Sequence, residues 1–187
     1  MARSLVENSE YILEKNQNDV INSAELNLTE TLTDRLKLDE SRVQGMADGL
    51  LKLIDLEDPV GKVEKNSLSE NGLSINKVRS PFGVVAVFYE ARPNVTSDVS
   101  ALCFKSGNVV ILRGGSEALH TNKILAKLFK KALKKKKCDE NCVQFVEHKD
   151  RGHVDYLLSG MKNYLDLIIP RGGKNLVKKV LKKSVVS

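Results

Sequence analysis

Residues 81–94 read "PFGVVAVFYEARPN". The run from Val84 to Phe88 is apolar without a break, and a short unbroken apolar run marks a strand buried on both faces, the kind that parallel sheets use. The run then ends in a crowd of polar groups: Glu90, Arg92 and Asn94 gather around Pro93. Two readings of that ending stand side by side. In one it is a polar turn, with Asn94 capping the next helix. In the other it is a functional break, in which the Asn94 amide donates to a developing oxyanion and Arg92 binds an anionic substrate group. Glu90 then orients either residue or neutralises Arg92, and spacing alone leaves both readings open.

The same rhythm continues downstream. "NVVILR" (108–113), "VQFVE" (143–147) and "LDLIIP" (165–170) repeat the buried-strand pattern, and helical segments separate them. "VTSDVSALCFKSG" places Val95, Val99, Leu102 and Cys103 on one stripe and stops at Gly107. "TNKILAKLFKKALKK" repeats Leu125, Leu128, Phe129, Ala132 and Leu133, while "HVDYLLSGM" and "KNLVKKVLKK" accompany the later strands. Strand and helix in alternation predict right-handed crossovers and an open parallel α/β sheet with helices on both faces. Ligands of such sheets sit beyond the C-terminal strand ends. Three polar breaks fall there, "EARPN", "RGGSEA" and "PRGGK", so they are expected to line one edge.

In "RGGSEA" Arg113 closes a strand, Gly114 and Gly115 permit a tight turn, and Ser116 and Glu117 follow at a helix start. A guanidinium pairs with phosphate and a carboxylate accepts both hydroxyls of a ribose, which is the chemistry of an adenosine nucleotide pocket. The competing reading is a glycine turn with an N-capping serine and no ligand. "PRGGK" repeats the logic, because Gly172 and Gly173 precede a helix whose first amides can face a diphosphate. Neither segment is GxGxxG or GxxxxGK[ST], so both named nucleotide motifs are absent.

Upstream, the first third of the chain reads as helix. In "LDESRVQGMADGLLKLI", Val43, Met46, Leu50 and Leu53 share a face, Asp39 is placed to cap, and Leu38 and Val43 are placed as a hydrophobic staple. "DPVG" breaks the helix, and Asn71-Gly72 lies between "GKVEKNSL" and "LSINKVR" as the turn of a hairpin. The expected organisation is an N-terminal helical segment (1–60), a hairpin (61–80) that is either an oligomerisation flap or an ordinary surface hairpin, and an α/β nucleotide-binding domain (81–187).

Composition narrows the function classes. With 187 residues, 41% of them hydrophobic and 29% charged, the chain has the balance of a globular protein with a real core. No apolar run is long enough to span a bilayer and the start lacks a secretory signal's apolar core, so a cytoplasmic protein with no membrane partner is expected. The formal charge of +6 favours partners bearing phosphate or carboxylate. Its excess lies in lysines along two predicted helices, among them Lys134 to Lys137, with no aromatic stacking partners interleaved. A solvated helix face therefore outweighs nucleic-acid binding. Cys138 and Cys142 stand near His148 and His153 in a pattern too loose for zinc, and no metal is expected. Cys103 reads as core, and none of the three cysteines has the setting of a nucleophile.

The segment from "SPFGVVAVFYEARPN" through "VVILRGGSEALHTN" closely resembles the gamma-glutamyl phosphate reductase family of the aldehyde dehydrogenase superfamily. "LDLIIPRGGKNLVKKV", "DRLKLDESRVQGMADGL" and "DPVG" resemble further parts of it, so the likeness runs over nearly the whole chain. The resemblance implies a cofactor domain, a catalytic domain and an oligomerisation flap, and hence a homo-oligomer. It also implies NADPH as cofactor and reduction of L-glutamyl 5-phosphate to the semialdehyde and phosphate in proline biosynthesis. By that likeness Asn94 matches the oxyanion-stabilising asparagine. Arg113 and Glu117 fall where the adenosine ribose and its 2'-phosphate are held, and Gly172 and Gly173 near the diphosphate; Ser116 is assigned to the cofactor beside them, and Glu90 and Arg92 are assigned to the substrate from their own chemistry. Members of the family are much longer, and their acylated cysteine lies in a domain following the part matched by this chain. The expectation is an N-terminal portion lacking that domain and inactive alone. The alternative is a nucleotide-binding module, standing alone or completed by a second chain.

Overall fold

The computed structural model describes residues 1–25, 28–148 and 150–186. Four helices come first: α1 (Ala2–Glu7), α2 (Ser9–Glu25), α3 (Glu30–Leu36) and α4 (Glu40–Asp55). A two-stranded antiparallel hairpin follows, β1 (Val63–Leu68) with β2 (Ser74–Val78). The remainder alternates: β3 (Val84–Tyr89), α5 (Pro93–Lys105), β4 (Val109–Arg113), α6 (Leu119–Lys135), β5 (Val143–Phe145), α7 (Arg151–Asp155), β6 (Leu167–Arg171) and α8 (Lys174–Lys183). The last four strands form one parallel sheet in the order β5-β4-β3-β6. The α/β fold read from the apolar runs is the fold observed.

Strand alternation explains why those runs are unbroken. Side chains along β3 point to opposite faces in turn. Val85, Val87 and Tyr89 pack on one face with Val95 and Cys103 of α5 and Phe129 and Leu133 of α6. Ala86 and Phe88 pack on the other with Leu157, Leu158, Leu165 and Val180. Both faces are covered, so neither tolerates a polar residue. Gly107 ends the α5 connection at φ +74°, a conformation that L side chains rarely adopt, and an added Cβ would meet Pro81 at 2.7 Å.

The N-terminal helices extend the layer of α6. Leu5, Ile12, Val43, Met46, Ala47 and Leu50 pack on Ile124, Leu125 and Leu128, so α6 buries one stripe on the sheet and another on these helices. Each such aliphatic side chain, fully buried, contributes about 1.5–3 kcal/mol. Asp39 caps α4 as its spacing predicted, accepting from the Arg42 amide at 2.7 Å.

A second join is polar. On α2, Ile12, Asn16, Asp19 and Ser23 are buried along one stripe. Asn16 donates to the Leu36 carbonyl (2.8 Å) and to Thr121 Oγ1 (3.2 Å), and accepts from the Leu38 amide (2.7 Å). Asp19 accepts from the amides of His120 (3.1 Å) and Thr121 (2.7 Å) and from Thr121 Oγ1 (2.6 Å), and its Oδ1 lies 2.7 Å from His120 Nδ1. One buried carboxylate thus satisfies the first amides of α6, which no residue of α6 itself caps.

The hairpin closes through a five-residue loop, Ser69 to Leu73, longer than a two-residue turn at Asn71-Gly72. Glu64 bridges Lys77 (2.8 Å) and Arg79 (2.6 Å) across the strands, and the two cations hold its carboxyl down at about 2.

Candidate active site

Register builds the site. In the parallel ladder Phe88 stands opposite Arg113 and Tyr89 opposite Arg171, so β3, β4 and β6 all end on one edge. After β5 at the far side of the sheet the chain crosses to place β6 beside β3. The β3–β6 junction is therefore where strand order reverses, and the crevice outside it is where such sheets take ligands.

That crevice holds a cavity of about 350 Å³ lined by Glu90, Arg92, Arg171, Gly172 and Gly173, with Arg35 reaching it from α3. Glu90 Oε2 accepts from the Gly173 amide at 2.9 Å and so ties the end of β3 to the start of α8. A Cβ on Gly172 would come 2.7 Å from the Glu90 carboxyl carbon, so a larger residue there would push the Glu90 side chain aside.

Asn94 does not cap α5. The N-cap position is Arg92, with Pro93 in the first turn, and Asn94 lies inside the helix. Its Nδ2 donates to Asp98 Oδ2 at 3.0 Å. A helical residue and its i+4 neighbour share a face, so the bond is local and fixes the amide. Asn94, Asp98 and Arg92 line a second cavity of about 650 Å³ bounded by Arg35, Arg42 and Gly49 among others from α3 and α4. Burial pushes the Asp98 carboxyl above its usual range, with the Asn94 hydrogen bond and the charge of Arg171 opposing that rise.

Arg113, Ser116 and Glu117 stand one strand away, at the end of β4. Arg113 donates to the Gly114 carbonyl, its buried Nε has no hydrogen-bond partner among the described residues, and burial lowers its proton affinity against the pull of Glu117. Beneath the turn, Tyr89 Oη lies 2.7 Å from Thr96 Oγ1, which donates to Asn122 Oδ1 at 2.8 Å. Asn122 Nδ2 is also buried without a partner, and a Cβ on Gly114 would fall 2.3 Å from it. Ser116 is exposed, and Gly115, not Ser116, holds the N-cap position of the short turn that precedes α6, so the capping-serine reading does not hold.

The structure thus brings Glu90, Arg92, Gly172 and Gly173 to one cavity, sets Asn94 in the adjoining one, and leaves Arg113, Ser116 and Glu117 on the same edge but lining neither. Arg35 and Asp98 were missed in the sequence. Asp98 could have been found as the i+4 neighbour of Asn94. Arg35 carries no such signal, because it reaches the cavity only through the packing of α3.

The thiols lie elsewhere. Cys103 is buried in the sheet core and its thiol is pushed up to about 11. Cys138 and Cys142 precede β5 and so sit at the opposite edge of the parallel sheet. Among the described residues no three His, Cys, Asp or Glu side chains stand close enough to hold a metal, and no helix is long and apolar enough to cross a membrane. His148 and His153 stack face to face at 4.6 Å.

No family model matches the chain. It is 45% identical to the gamma-glutamyl phosphate reductase of Caldanaerobacter subterraneus over 186 residues, covering 100% of this chain and 45% of that protein. The crystal structure of gamma-glutamyl phosphate reductase from Thermotoga maritima superposes with a TM-score of 0.93 at 40% identity, over 99% of this chain and 44% of that one. A probable aldehyde dehydrogenase from Listeria monocytogenes shares the fold alone, with a TM-score of 0.71 at 15% identity over 99% of this chain and 38% of that one. The chain spans less than half the length of these relatives. In sequence and in fold the chain is similar to gamma-glutamyl phosphate reductases over less than half of their length.

Proposed function

We propose that this chain supplies the NADP-binding edge, and part of the substrate site, of a cytoplasmic reductase that converts L-glutamyl 5-phosphate to L-glutamate 5-semialdehyde and phosphate. The observation that carries the reading is the alignment of three polar strand ends along one edge of the sheet, two of them flanking the point where strand order reverses. The residues fit the cofactor's chemistry: a buried guanidinium nitrogen without a partner among the described residues at Arg113, a carboxylate at Glu117, and a glycine turn opening α8.

Arg113 would hold a 2'-phosphate, Ser116 and Glu117 the ribose hydroxyls, and the Gly172–Gly173 backbone the diphosphate. When bound, the cofactor supplies a hydride. Asn94 donates one amide hydrogen to Asp98, which leaves the other for an oxyanion forming on the substrate carbonyl. Arg92 holds an anionic group of the substrate, and Glu90 keeps the glycine turn in place through Gly173.

Attack on an acyl phosphate needs a thiolate. Cys103 is buried and protonated at neutral pH, and Cys138 and Cys142 sit at the wrong edge. The 187 residues alone are therefore expected to bind NADPH without oxidising it when glutamyl phosphate is added. Titration of NADPH against the chain and its Arg113→Ala variant tests the reading. Affinity about tenfold weaker in the variant is expected from loss of a charge-assisted pair, and equal affinities would contradict the role given to Arg113.

A further inference from the structure

Some arginines in this fold find carboxylates. Arg3, Arg42 and Arg79 each pair with one, at 3.4, 2.9 and 2.6 Å. Arg35, Arg92 and Arg171 have neither an ion pair nor a side-chain hydrogen bond among the described residues, and all three line the 350 Å³ cavity at the β3–β6 junction. The one carboxylate there, Glu90, is engaged by the Gly173 amide. Three like charges around one hollow repel each other, and that repulsion is relieved by an anion with several acceptor oxygens.

Two of the three also border the larger cavity. Arg35 and Arg92 line both hollows, and Asn94 and Asp98 line only the second. Arg171, from the smaller one, lowers the proton affinity of Asp98. The guanidiniums therefore stand between the glycine turn and the amide of Asn94.

We propose that Arg35, Arg92 and Arg171 form a subsite for a phosphoryl group, with Arg35 contributed by the N-terminal helices. This rests on the functional reading above and deepens it. The position beside Asn94 suits the phosphoryl group of an acyl phosphate whose carbonyl faces that amide. Phosphate of the same chemistry also occurs in the cofactor, so the test separates the two sources.

Inorganic phosphate is titrated by calorimetry against the chain, Arg35→Gln, Arg171→Gln and, as a control for the solvated lysine face, Lys127→Gln. NADPH is titrated against the same set. Arg35 is exposed and unpaired among the described residues, so its variant is expected to fold, which far-ultraviolet circular dichroism checks, and Arg171→Gln provides the same test independently. Phosphate binding about tenfold weaker in either arginine variant and unchanged in Lys127→Gln supports the subsite. If NADPH affinity stays within about twofold in those variants, the subsite serves the substrate; if it falls in parallel and NADPH displaces phosphate, it serves the cofactor diphosphate. Phosphate binding that is absent from the wild type, or equal in wild type and both arginine variants, would overturn the subsite. NADPH binding that still depends on Arg113 would leave the functional reading standing in that case.

Discussion

Asp98 shows how one bond sets two properties. Its carboxylate accepts from Asn94 Nδ2, which aims the amide, and it is half-buried, which raises its affinity for a proton. A carboxyl whose folded-state pKa lies above its unfolded value holds its proton more tightly when folded. Its contribution to stability is greatest below the unfolded value, falls as pH rises through the window between the two, and is constant above. Asn at this position keeps an acceptor for Asn94 and removes the titration. Urea midpoints measured from about pH 4 to pH 7 should therefore fall less with rising pH in Asp98→Asn than in the wild type. Parallel profiles would show that Asp98 does not titrate in that window. At the same scale, Asn94 was legible as a functional candidate but its helix position was not: Pro93 fixes the first turn and leaves Asn94 past the point where a cap can act.

At the scale of elements, what the sequence made legible follows from burial on two faces. β3 and β4 bury both sides and so appear as apolar runs, β6 buries Ile168 but leaves Ile169 exposed, and the Asp39 cap and the Gly107 stop are local rules obeyed locally. α2 is the counter-example. Its buried stripe carries Asn16, Asp19 and Ser23, so hydrophobic periodicity is weak where the packing is close. The partners of Asn16 and Asp19, the start of α6 and the end of α3, lie outside their helix, and only the tertiary structure brings them together. The consequence is measurable. Asp19→Ala strips the α6 start of its acceptor and is expected to cost about 2–3 kcal/mol of unfolding free energy by urea titration. A loss below about 0.5 kcal/mol would mean that water replaces the carboxylate. The "RGGSEA" loop leads directly into that helix start, so the N-terminal helices help to position the proposed nucleotide site.

For the whole molecule, the proposed site depends on three loops acting together, although they are separated in sequence by stretches of about 20 and 55 residues. Strand order was beyond reach of the sequence, since nothing in "LDLIIP" says that it pairs with β3 rather than β5. The sheet topology makes that choice and turns three isolated polar breaks into one edge. The lysine-rich faces of α6 and α8 offer the competing destination for a polyanionic ligand. The most direct measurement is amide chemical-shift mapping of the isotopically labelled chain during an NADPH titration. The account predicts that amides of 91, 92, 94, 114–117 and 172–173 shift together along a single saturating curve. Shifts confined to the lysines of α6 and α8, or to one of the three loops with the others unmoved, would contradict it.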